Sequence, residues 1–255
     1  MRAIALQSGS NGNCIYVESG GVRLLFDAGI SGCCAEERLH HHGREIREVD
    51  ALVISHDHSD HARSLGIFQR KFGLSAYVTR ETLDAARAKY RLGQLAAVHY
   101  FEAGDTLRFG PLAVETIPTP HDAMDGVIFV VDDGCHRLGI CTDLGHVFDG
   151  LPALIASLDA VVLESNYEPE LLEGGLYPEF LKQRIRGLGG HLSNVEAAEL
   201  LRDAVDGRMR WVCLAHLSAE NNCPEVALAT HRAIFGHHLP IHIARRDRET
   251  AVLEV

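Results

Sequence analysis

Short apolar runs recur along the chain between glycines and polar clusters, and they predict strands. Residues 4–6, 14–18 and 22–26 are the first three, and Gly20-Gly21 is typical of a hairpin turn. Further strands are predicted at 51–54, 76–78, 126–132, 137–141, 159–164, 211–215, 241–244 and 251–255, with two more around Gly110-Pro111 within 107–117. Helices are predicted at 36–43, 62–71, 80–91, 180–187 and 194–203, the last capped by Ser193 or Asn194. Strands alternating with helices are typical of a layered α/β protein.

The apolar run 51–54 is the most informative of these segments. It is short and uninterrupted, as expected of a strand that is buried on both faces. Directly after it, residues 56–61 contain three histidines and two aspartates. Because α/β proteins place their ligands at the carboxyl ends of strands, we expect an active site at this point.

The spacing within this cluster suits metal ligands. His56 and His58 are two residues apart, so both imidazoles project to the same side of an extended segment. Asp60 and His61 are predicted in the first turn of a helix, where adjacent side chains diverge by about 100°, which suits a second metal ion beside the first. The alternative is a polar loop in which Ser59 or Asp60 caps a helix. Capping explains neither the three histidines nor their spacing.

Polar residues also follow four later strands. His121 follows the strands within 107–117, Asp143 follows 137–141, Glu164 ends 159–164, and His216 follows 211–215. Each lies where the chain leaves an apolar run. Beside the first cluster, His121 and Asp143 are predicted to ligate metal rather than to serve the fold alone.

These motifs resemble the metallo-β-lactamase superfamily, whose signature is the pattern His56-x-His58-x-Asp60-His61 after a buried strand. Within that group the chain resembles the WalJ/YycJ family of small bacterial phosphodiesterase-like hydrolases. The phrases that carry this likeness are Ser8-Gly-Ser-Asn-Gly-Asn13, Phe26-Asp-Ala-Gly29, His121-Asp-Ala123, Thr142-Asp-Leu-Gly145, Leu163-Glu-Ser-Asn166, Gly190-His-Leu-Ser-Asn194, Ala215-His-Leu-Ser218 and Asn221-Asn222. They span residues 6–225, nearly the whole chain.

The resemblance implies a fold and a set of ligands. The fold is a four-layer α/β/β/α sandwich with two mixed β-sheets, and no linker or repeat divides residues 1–255, so we expect one domain. The family pattern assigns His56, His58 and His121 to a first metal, Asp60, His61 and His216 to a second, and Asp143 to both. It assigns Asp27 a supporting role beside the ligand histidines.

The expected chemistry is that of a catalytic two-metal site. Five imidazoles and two carboxylates leave open positions for water on two divalent ions. Ions held about 3.5–4 Å apart can share a hydroxide, which is the expected nucleophile. Histidine-rich sites suit zinc, and manganese or iron are compatible with the carboxylates.

The resemblance also implies how the leaving group departs. In the related phosphodiesterases a carboxylate and a histidine orient each other near the departing oxygen, and Glu164 and His191 occupy the matching motifs. With Asp60 they are the expected catalytic residues. The alternative for His191 is a purely structural position in its glycine-rich turn.

We therefore expect a metal-dependent phosphodiesterase that acts on nucleic acid, DNA or RNA, as an exonuclease-like hydrolase. The residues Ser193, Asn194, Asn221 and Asn222 are candidate substrate contacts, and the sequence does not separate that role from hydrogen bonding within loops. Hydrolysis of a small thioester, lactone or cyclic phosphate is an alternative, and a non-catalytic metal-binding signalling module is a second one.

Composition and charge refine this picture. The formal net charge is −11, so the surface as a whole is unlike one that grips nucleic acid. A phosphate-bearing substrate needs local positive charge, from metal ions or from the basic cluster of Lys182, Arg184 and Arg186. The alternative for that cluster is a solvated helix face.

The compartment is inferred from cysteines and apolar runs. Seven cysteines show no Cys-x-x-Cys motif; Cys14, Cys141 and Cys213 are expected in the core, and the role of the Cys33-Cys34 pair is left open. There is no apolar run of roughly 18 residues and no signal-peptide pattern, so we expect a cytoplasmic protein with no membrane contact. Both a monomer and a homodimer are compatible with the sequence.

Overall fold

Two mixed sheets form the centre of the structure, a computed structural model that describes residues 1–205 and 207–255. The first sheet contains β1 (Arg2–Gln7), β2 (Cys14–Ser19), β3 (Val22–Phe26), β4 (Ala51–Val53), β5 (Ser75–Val78), β6 (Val98–Tyr100) and β14 (Leu253–Glu254). Its strand order is β14-β1-β2-β3-β4-β5-β6. Pairing is antiparallel from β14 to β3 and parallel from β3 to β6.

The second sheet repeats this combination of antiparallel and parallel pairing. It contains β7 (Thr106–Phe109), β8 (Leu112–Pro118), β9 (Val127–Asp132), β10 (Arg137–Cys141), β11 (Ala160–Glu164), β12 (Trp211–Ala215) and β13 (Ile241–Ile243). Its order is β13-β12-β11-β10-β9-β8-β7. Pairing is antiparallel from β7 to β10 and parallel from β10 to β13.

Helices cover the outer faces of both sheets and connect the parallel strands. They are α1 (Gly32–His41), α2 (Ser59–Ala62), α3 (Leu65–Phe72), α4 (Arg80–Lys89), α5 (Leu151–Ala156), α6 (Pro169–Gly174), α7 (Glu179–Arg186), α8 (Asn194–Ala204) and α9 (Pro224–Ile234), with a 3₁₀ turn at Ile46–Glu48. None of the helices in the described ranges is long and apolar enough to cross a lipid bilayer.

Three apolar cores separate the layers, because successive strand residues point to opposite faces. In β3, Leu24 and Phe26 enter the core between the sheets, where Phe26 packs on Phe129 with ring centroids 5.0 Å apart. Leu25, between them, enters a second core, beneath α1, α3 and α4. A third core lies between the second sheet and α5, α8 and α9. The predicted four-layer α/β/β/α sandwich is confirmed.

Several predicted boundaries are corrected by local hydrogen bonds. The helix predicted at 36–43 begins at Gly32, because the Ser31 hydroxyl accepts the Cys34 amide and caps an earlier turn. The helix predicted at 62–71 is two helices, α2 and α3, with Ser64 between them donating its amide to the Ala28 carbonyl. The elements β6, α5, α6 and α9 were absent from the prediction.

The parallel strands determine where the predicted site lies. Strands β3 and β4 of the first sheet and β10, β11 and β12 of the second each end in a predicted site residue or the loop that carries one. Parallel strands share one direction, so their carboxyl ends meet at one edge of each sheet. The topology therefore brings residues from both halves of the chain together.

Gly29 is the tightest backbone contact at this edge. Its amide donates to the Asn13 carbonyl at 3.0 Å, while the Asn13 amide donates to the Asp60 carbonyl at 2.7 Å. A Cβ atom added to Gly29 would lie 1.5 Å from that Asp60 oxygen. Only glycine allows the three segments to approach this closely.

We expect Gly29→Ala to lower the free energy of unfolding by about 1–3 kcal/mol, the usual cost of overpacking, or more if the loop of Asp60 is displaced. Urea denaturation measures it. Gly174→Ala is the matched control, because a Cβ there meets no atom within 4 Å. Equal stability of the two variants would contradict the close approach.

Candidate active site

The first part of the site is the loop that links β4 to α2. His56 is buried, and its ring packs against those of His61 and His58 with centroids 4.0 Å and 4.8 Å away. His58 occupies the N-cap position of α2, so Asp60 and His61 lie in the first helical turn as predicted. Asp57, between the first two histidines, points away from them: it accepts the Met124 amide and pairs with Lys89. Alternate residues of one loop therefore serve the site and the surrounding structure.

The remaining predicted ligands come from loops of the second sheet. His121 follows β8, Asp143 follows β10, and His216 follows β12. Asp143 and His216 adopt left-handed backbone conformations, with φ of 59° and 57°, and so does Asp27 after β3, with φ of 66°. Such conformations cost on the order of 1–3 kcal/mol for a residue other than glycine and are concentrated at functional sites. They turn each side chain sharply into the site.

Three imidazoles form the first group of candidate ligands. The His121 Nε2 and His58 Nδ1 atoms are 3.2 Å apart, and the nitrogens of His56, His58 and His121 lie within 4.8 Å of one another. His56 Nε2 is buried and makes no hydrogen bond within the described residues. Burial, reinforced by the neighbouring His61, lowers the pKa of His56, which leaves a neutral imidazole with a free lone pair. A buried, unpaired nitrogen of this kind fits a metal ion.

Asp60, His61 and His216 form the second group. Asp60 Oδ2 lies 3.2 Å from His216 Nε2 and 3.5 Å from His61 Nε2. On the other side of the His61 ring, Nδ1 bonds Asp27 Oδ2 at 2.7 Å, which fixes the ring with Nε2 facing Asp60. The Ser55 hydroxyl bridges the same Asp27 carboxylate and His56 Nδ1. Ligand histidines in metalloproteins are commonly oriented by such a partner.

Asp143 lies between the two groups. Its Oδ2 is 3.2 Å from His61 Nε2, and its Oδ1 is 3.5 Å from His121 Nε2. Oδ2 is buried and has no hydrogen-bond partner among the described residues. A carboxylate that reaches both groups with an unpaired oxygen fits a ligand shared by two cations.

Negative charge dominates this buried volume. Burial alone would lower the pKa of His216, but Asp143, Asp60 and Glu164 outweigh burial and raise it to about 10. The pKa of His61 is likewise raised, against the effect of burial, by Asp143, Asp27 and Asp60. The site therefore attracts positive charge, and the donor set of imidazoles and carboxylates fits divalent metal ions.

Glu164 and His191 form a pair next to the ligands. Glu164 is completely buried, and its carboxylate accepts the Asp143, Leu144 and Leu192 amides and His191 Nδ1, the last at 2.7 Å. Burial would raise the pKa of Glu164, but His191 and His216 lower it to about 2, so it stays ionised. His191 is partly exposed, whereas Glu164 does not line the cavity.

Some of these residues line an open cavity of about 330 Å³. Its lining includes Asp60, Asp143, His191 and His216, together with Tyr90, Tyr177, Leu181, Arg184 and Ile185. A cavity of this size suits a small ligand or one unit of a polymer.

The predicted basic cluster reaches this cavity through one residue only. Arg184 lines the cavity and pairs with Asp122, with Nε and Oδ2 2.6 Å apart. Lys182 is buried and donates to the Glu173 carbonyl, and Arg186 pairs with Glu173 and Glu179. Lys182 and Arg186 therefore interact with residues of the α6–α7 segment and not with the cavity.

None of the four predicted substrate contacts lines this cavity. The Ser193 hydroxyl caps α8 in a capping box with Glu196. Asn194 and Asn222 are buried and hydrogen-bonded to each other, and Asn222 also holds the Ser165 and Asn166 carbonyls. The side chains of Ser193, Asn194 and Asn222 therefore have partners within the protein, and Asn221 is buried as well. Contact with a substrate stays a prediction for all four residues.

Asn13 lies in the site, although the sequence analysis gave it no role beyond its place in a family motif. Its Nδ2 lies 3.2 Å from Asp60 Oδ2 and 2.9 Å from His61 Nε2, and its Oδ1 accepts the Ser8 hydroxyl and the Gly9 amide. The Asn-Gly-Asn sequence indicated only a turn. Asn166 is similar: it belongs to the motif Leu163-Glu-Ser-Asn166, and its side-chain amide donates to the His216 carbonyl at 2.7 Å.

Comparisons with known proteins agree with this geometry. A family model described as a beta-lactamase superfamily domain matches residues 22–216. Exodeoxyribonuclease WalJ of Streptococcus pneumoniae is 37% identical over 229 residues, covering 88% of this chain and 84% of that protein. Exodeoxyribonuclease YycJ of Bacillus anthracis is 34% identical over 224 residues, covering 87% and 84%.

Solved structures show the same fold at low sequence identity. The metallo-beta-lactamase fold protein YhfI from Bacillus subtilis superimposes with a TM-score of 0.74 at 17% identity, covering 98% of each chain. Zinc-bound PqqB from Methylobacterium extorquens gives 0.75 at 17% identity, covering 100% of each chain. With the motifs, the two ligand groups and the relatives in agreement, the chain belongs to the metallo-β-lactamase superfamily of metal-dependent hydrolases, and within it to the WalJ/YycJ family.

Proposed function

We propose that this hydrolase is an exodeoxyribonuclease that cleaves phosphodiester bonds with two divalent metal ions. The observation that carries the proposal is the pairing of two ligand groups, joined by Asp143, with a His191–Glu164 pair at the same cavity. DNA is proposed as the substrate because the WalJ and YycJ relatives are named exodeoxyribonucleases. RNA remains the alternative nucleic acid for the same chemistry.

The ligand assignment follows the two groups. We infer that His56, His58 and His121 hold one ion, that Asp60, His61 and His216 hold the other, and that Asp143 reaches both. Five imidazoles favour zinc, and the two carboxylates are compatible with manganese or iron. When bound, the ions supply Lewis-acid chemistry, lowering the pKa of water and offsetting the charge of the phosphate.

The protein's own residues then orient the reaction. Asp27 and Ser55 hold the His61 and His56 rings, so the ligand geometry exists before substrate arrives. Glu164 accepts a hydrogen bond from His191 Nδ1, which leaves Nε2 as the nitrogen that can donate a proton to the departing oxygen. We therefore propose His191 as the general acid and Glu164 as a positioning residue, since Glu164 is buried away from the cavity.

Two broader inferences accompany this function. The ligands come from loops of both sheets, which supports the view that residues 1–255 act as one catalytic domain. All seven cysteines are free, and Cys33 and Cys34 do not pair, which favours the reducing cytoplasm where DNA is also found.

The purified protein should bind two divalent ions per chain. His61→Ala and His216→Ala should lose chiefly one ion and His56→Ala the other, because each removes a ligand from a different group. Asp143→Asn should weaken both, since it removes the shared negative charge. Elemental analysis after incubation with zinc or manganese measures the stoichiometry.

His40→Ala is the matched control for these variants, because the His40 side chain is largely exposed at the end of α1. It should retain both ions. A wild-type protein that binds none, or a His40→Ala variant that loses as much metal as His61→Ala, would contradict the assignment.

His191→Ala should keep both ions and lower turnover of DNA by roughly 10²–10⁴-fold, the usual contribution of a general acid. The loss should be much smaller for bis-p-nitrophenyl phosphate, because p-nitrophenolate departs without a proton. Glu164→Gln should show the same dependence on leaving group, since it acts through His191. Steady-state kinetics with both substrates, alongside metal analysis, separates this role from a structural one.

The outcome that contradicts the acid assignment is a uniform loss on both substrates, or loss of metal from His191→Ala. The first result would indicate general disruption of the site. The second would make His191 a ligand.

Single- and double-stranded DNA, RNA, bis-p-nitrophenyl phosphate and a thioester, each assayed with zinc and with manganese, test the substrate class. We expect DNA to be degraded from an end to mononucleotides, which gel electrophoresis and chromatography detect. Hydrolysis of the thioester alone would replace the proposal with the small-molecule alternative. No turnover of any substrate by the metal-loaded protein would favour a binding module.

A further inference from the structure

A second cavity lies beside the active-site cavity. Its volume is about 310 Å³, close to the 330 Å³ of the first, and Ser218 lines both. Its walls are apolar at Leu217, Ala219, Pro224 and Ala244. The charged residues that line it are Arg246 and the ion pair of Arg245 with Asp247. The two cavities are therefore neighbours with a shared wall.

Arg246 lies at the boundary between them. Its Nη1 atom donates to the Ser10 hydroxyl at 3.1 Å and to the Leu217 carbonyl at 3.0 Å. Ser10 lines the active-site cavity, and Leu217 directly follows the predicted ligand His216. Gly9 allows the contact, because a Cβ atom there would lie 2.9 Å from Arg246 Nη1. The loop of residues 8–13 thus positions a guanidinium next to the reaction site.

The charge of Arg246 is not neutralised by an ion pair with any residue in the described ranges 1–205 and 207–255. Within the described residues no carboxylate lies within 4.0 Å of its guanidinium, whereas Arg245 pairs with Asp247 and Arg184 with Asp122. Burial lowers the pKa of Arg246, and the nearby Tyr177, Glu220 and Asp60 oppose that effect. Its Nε and Nη2 donors make no hydrogen bond to the part of the chain that the structure describes.

We propose that the second cavity binds the nucleotide next to the scissile phosphate and that Arg246 binds the adjoining phosphate group. This inference rests on the proposed nuclease function and specifies where the substrate strand runs. The apolar walls suit a sugar and base, and a guanidinium with two free donors suits a phosphate oxygen pair. In a protein of net charge −11, such an unpaired cation is the local feature that a polyanion requires.

Arg246→Gln tests the proposal through the length of the substrate. KM for short thymidine oligonucleotides should rise roughly 10-fold, as expected for one charged hydrogen-bonded contact, with kcat little changed. The slope of log KM against log salt concentration should fall by about one, the value for one phosphate contact. Bis-p-nitrophenyl phosphate carries a single phosphodiester, so its kinetics should stay the same.

Arg248→Gln is the matched control, because Arg248 is exposed two residues away and its loss changes the net charge equally. It should leave KM and the salt dependence unchanged. Equal effects of the two variants would overturn the proposal in favour of a general electrostatic field. The proposal would also be overturned if Arg246→Gln lost as much activity on bis-p-nitrophenyl phosphate as on oligonucleotides, because Arg246 would then support the metal site.

A second variant keeps the test decisive if Arg246→Gln proves unstable. Ala219 is exposed and lines the second cavity, and none of the seven predicted metal ligands lines that cavity, so Ala219→Trp should fill it away from the metal site. It should raise KM for oligonucleotides only, and unchanged KM would count against the subsite. Failure of the nuclease proposal gives a different result: the wild type would hydrolyse bis-p-nitrophenyl phosphate but no oligonucleotide.

Discussion

The buried carboxylate of Asp143 is the group on which the rest of the site depends. Burial alone would raise its pKa, but His216, His61 and His121 hold the pKa well below the usual range, so the carboxylate remains charged in a dry environment. An unpaired charge there is costly, and the surrounding imidazoles or bound cations must compensate it. Because His61 comes from the first sheet and His121 and His216 from the second, this compensation joins the two halves of the chain.

The fold supplies this arrangement at a local cost. Asp27, Asp143 and His216 hold left-handed backbones, and Gly29 approaches the Asp60 carbonyl more closely than any other residue type allows. The three apolar cores stabilise the sheets to which these loops are attached. The loops therefore keep their conformation through the sheets and need not be stable on their own. A site assembled in this way is preorganised, which is the condition for effective electrostatic catalysis.

Local patterns in the sequence predicted a layered α/β protein with a metal site after one strand, whereas the four-layer arrangement and the full set of seven candidate ligands were implied by the resemblance to the metallo-β-lactamase superfamily. Strands buried on two faces read as apolar runs, and His56, His58, Asp60 and His61 fall within six residues. The position of Asn13 beside Asp60 was not predictable, because 47 residues separate them in the chain. Arg246 was missed for the same reason, because its partner Ser10 lies 236 residues away in the chain. The basic residues near His191 were noticed because they are adjacent in sequence, but they are largely paired within their own segment.

The proposed two-metal centre and the proposed substrate path thus lie side by side, at neighbouring cavities. Asp143 is proposed to contact two metal ions, each of them held by side chains from both sheets. A crystal structure of the manganese-loaded protein, with anomalous difference density at the manganese edge, measures this directly. Two peaks about 3.5–4 Å apart are expected, one surrounded by His56, His58 and His121 and the other by Asp60, His61 and His216, with Asp143 contacting both. A single peak, or two ions that share no carboxylate, would contradict it.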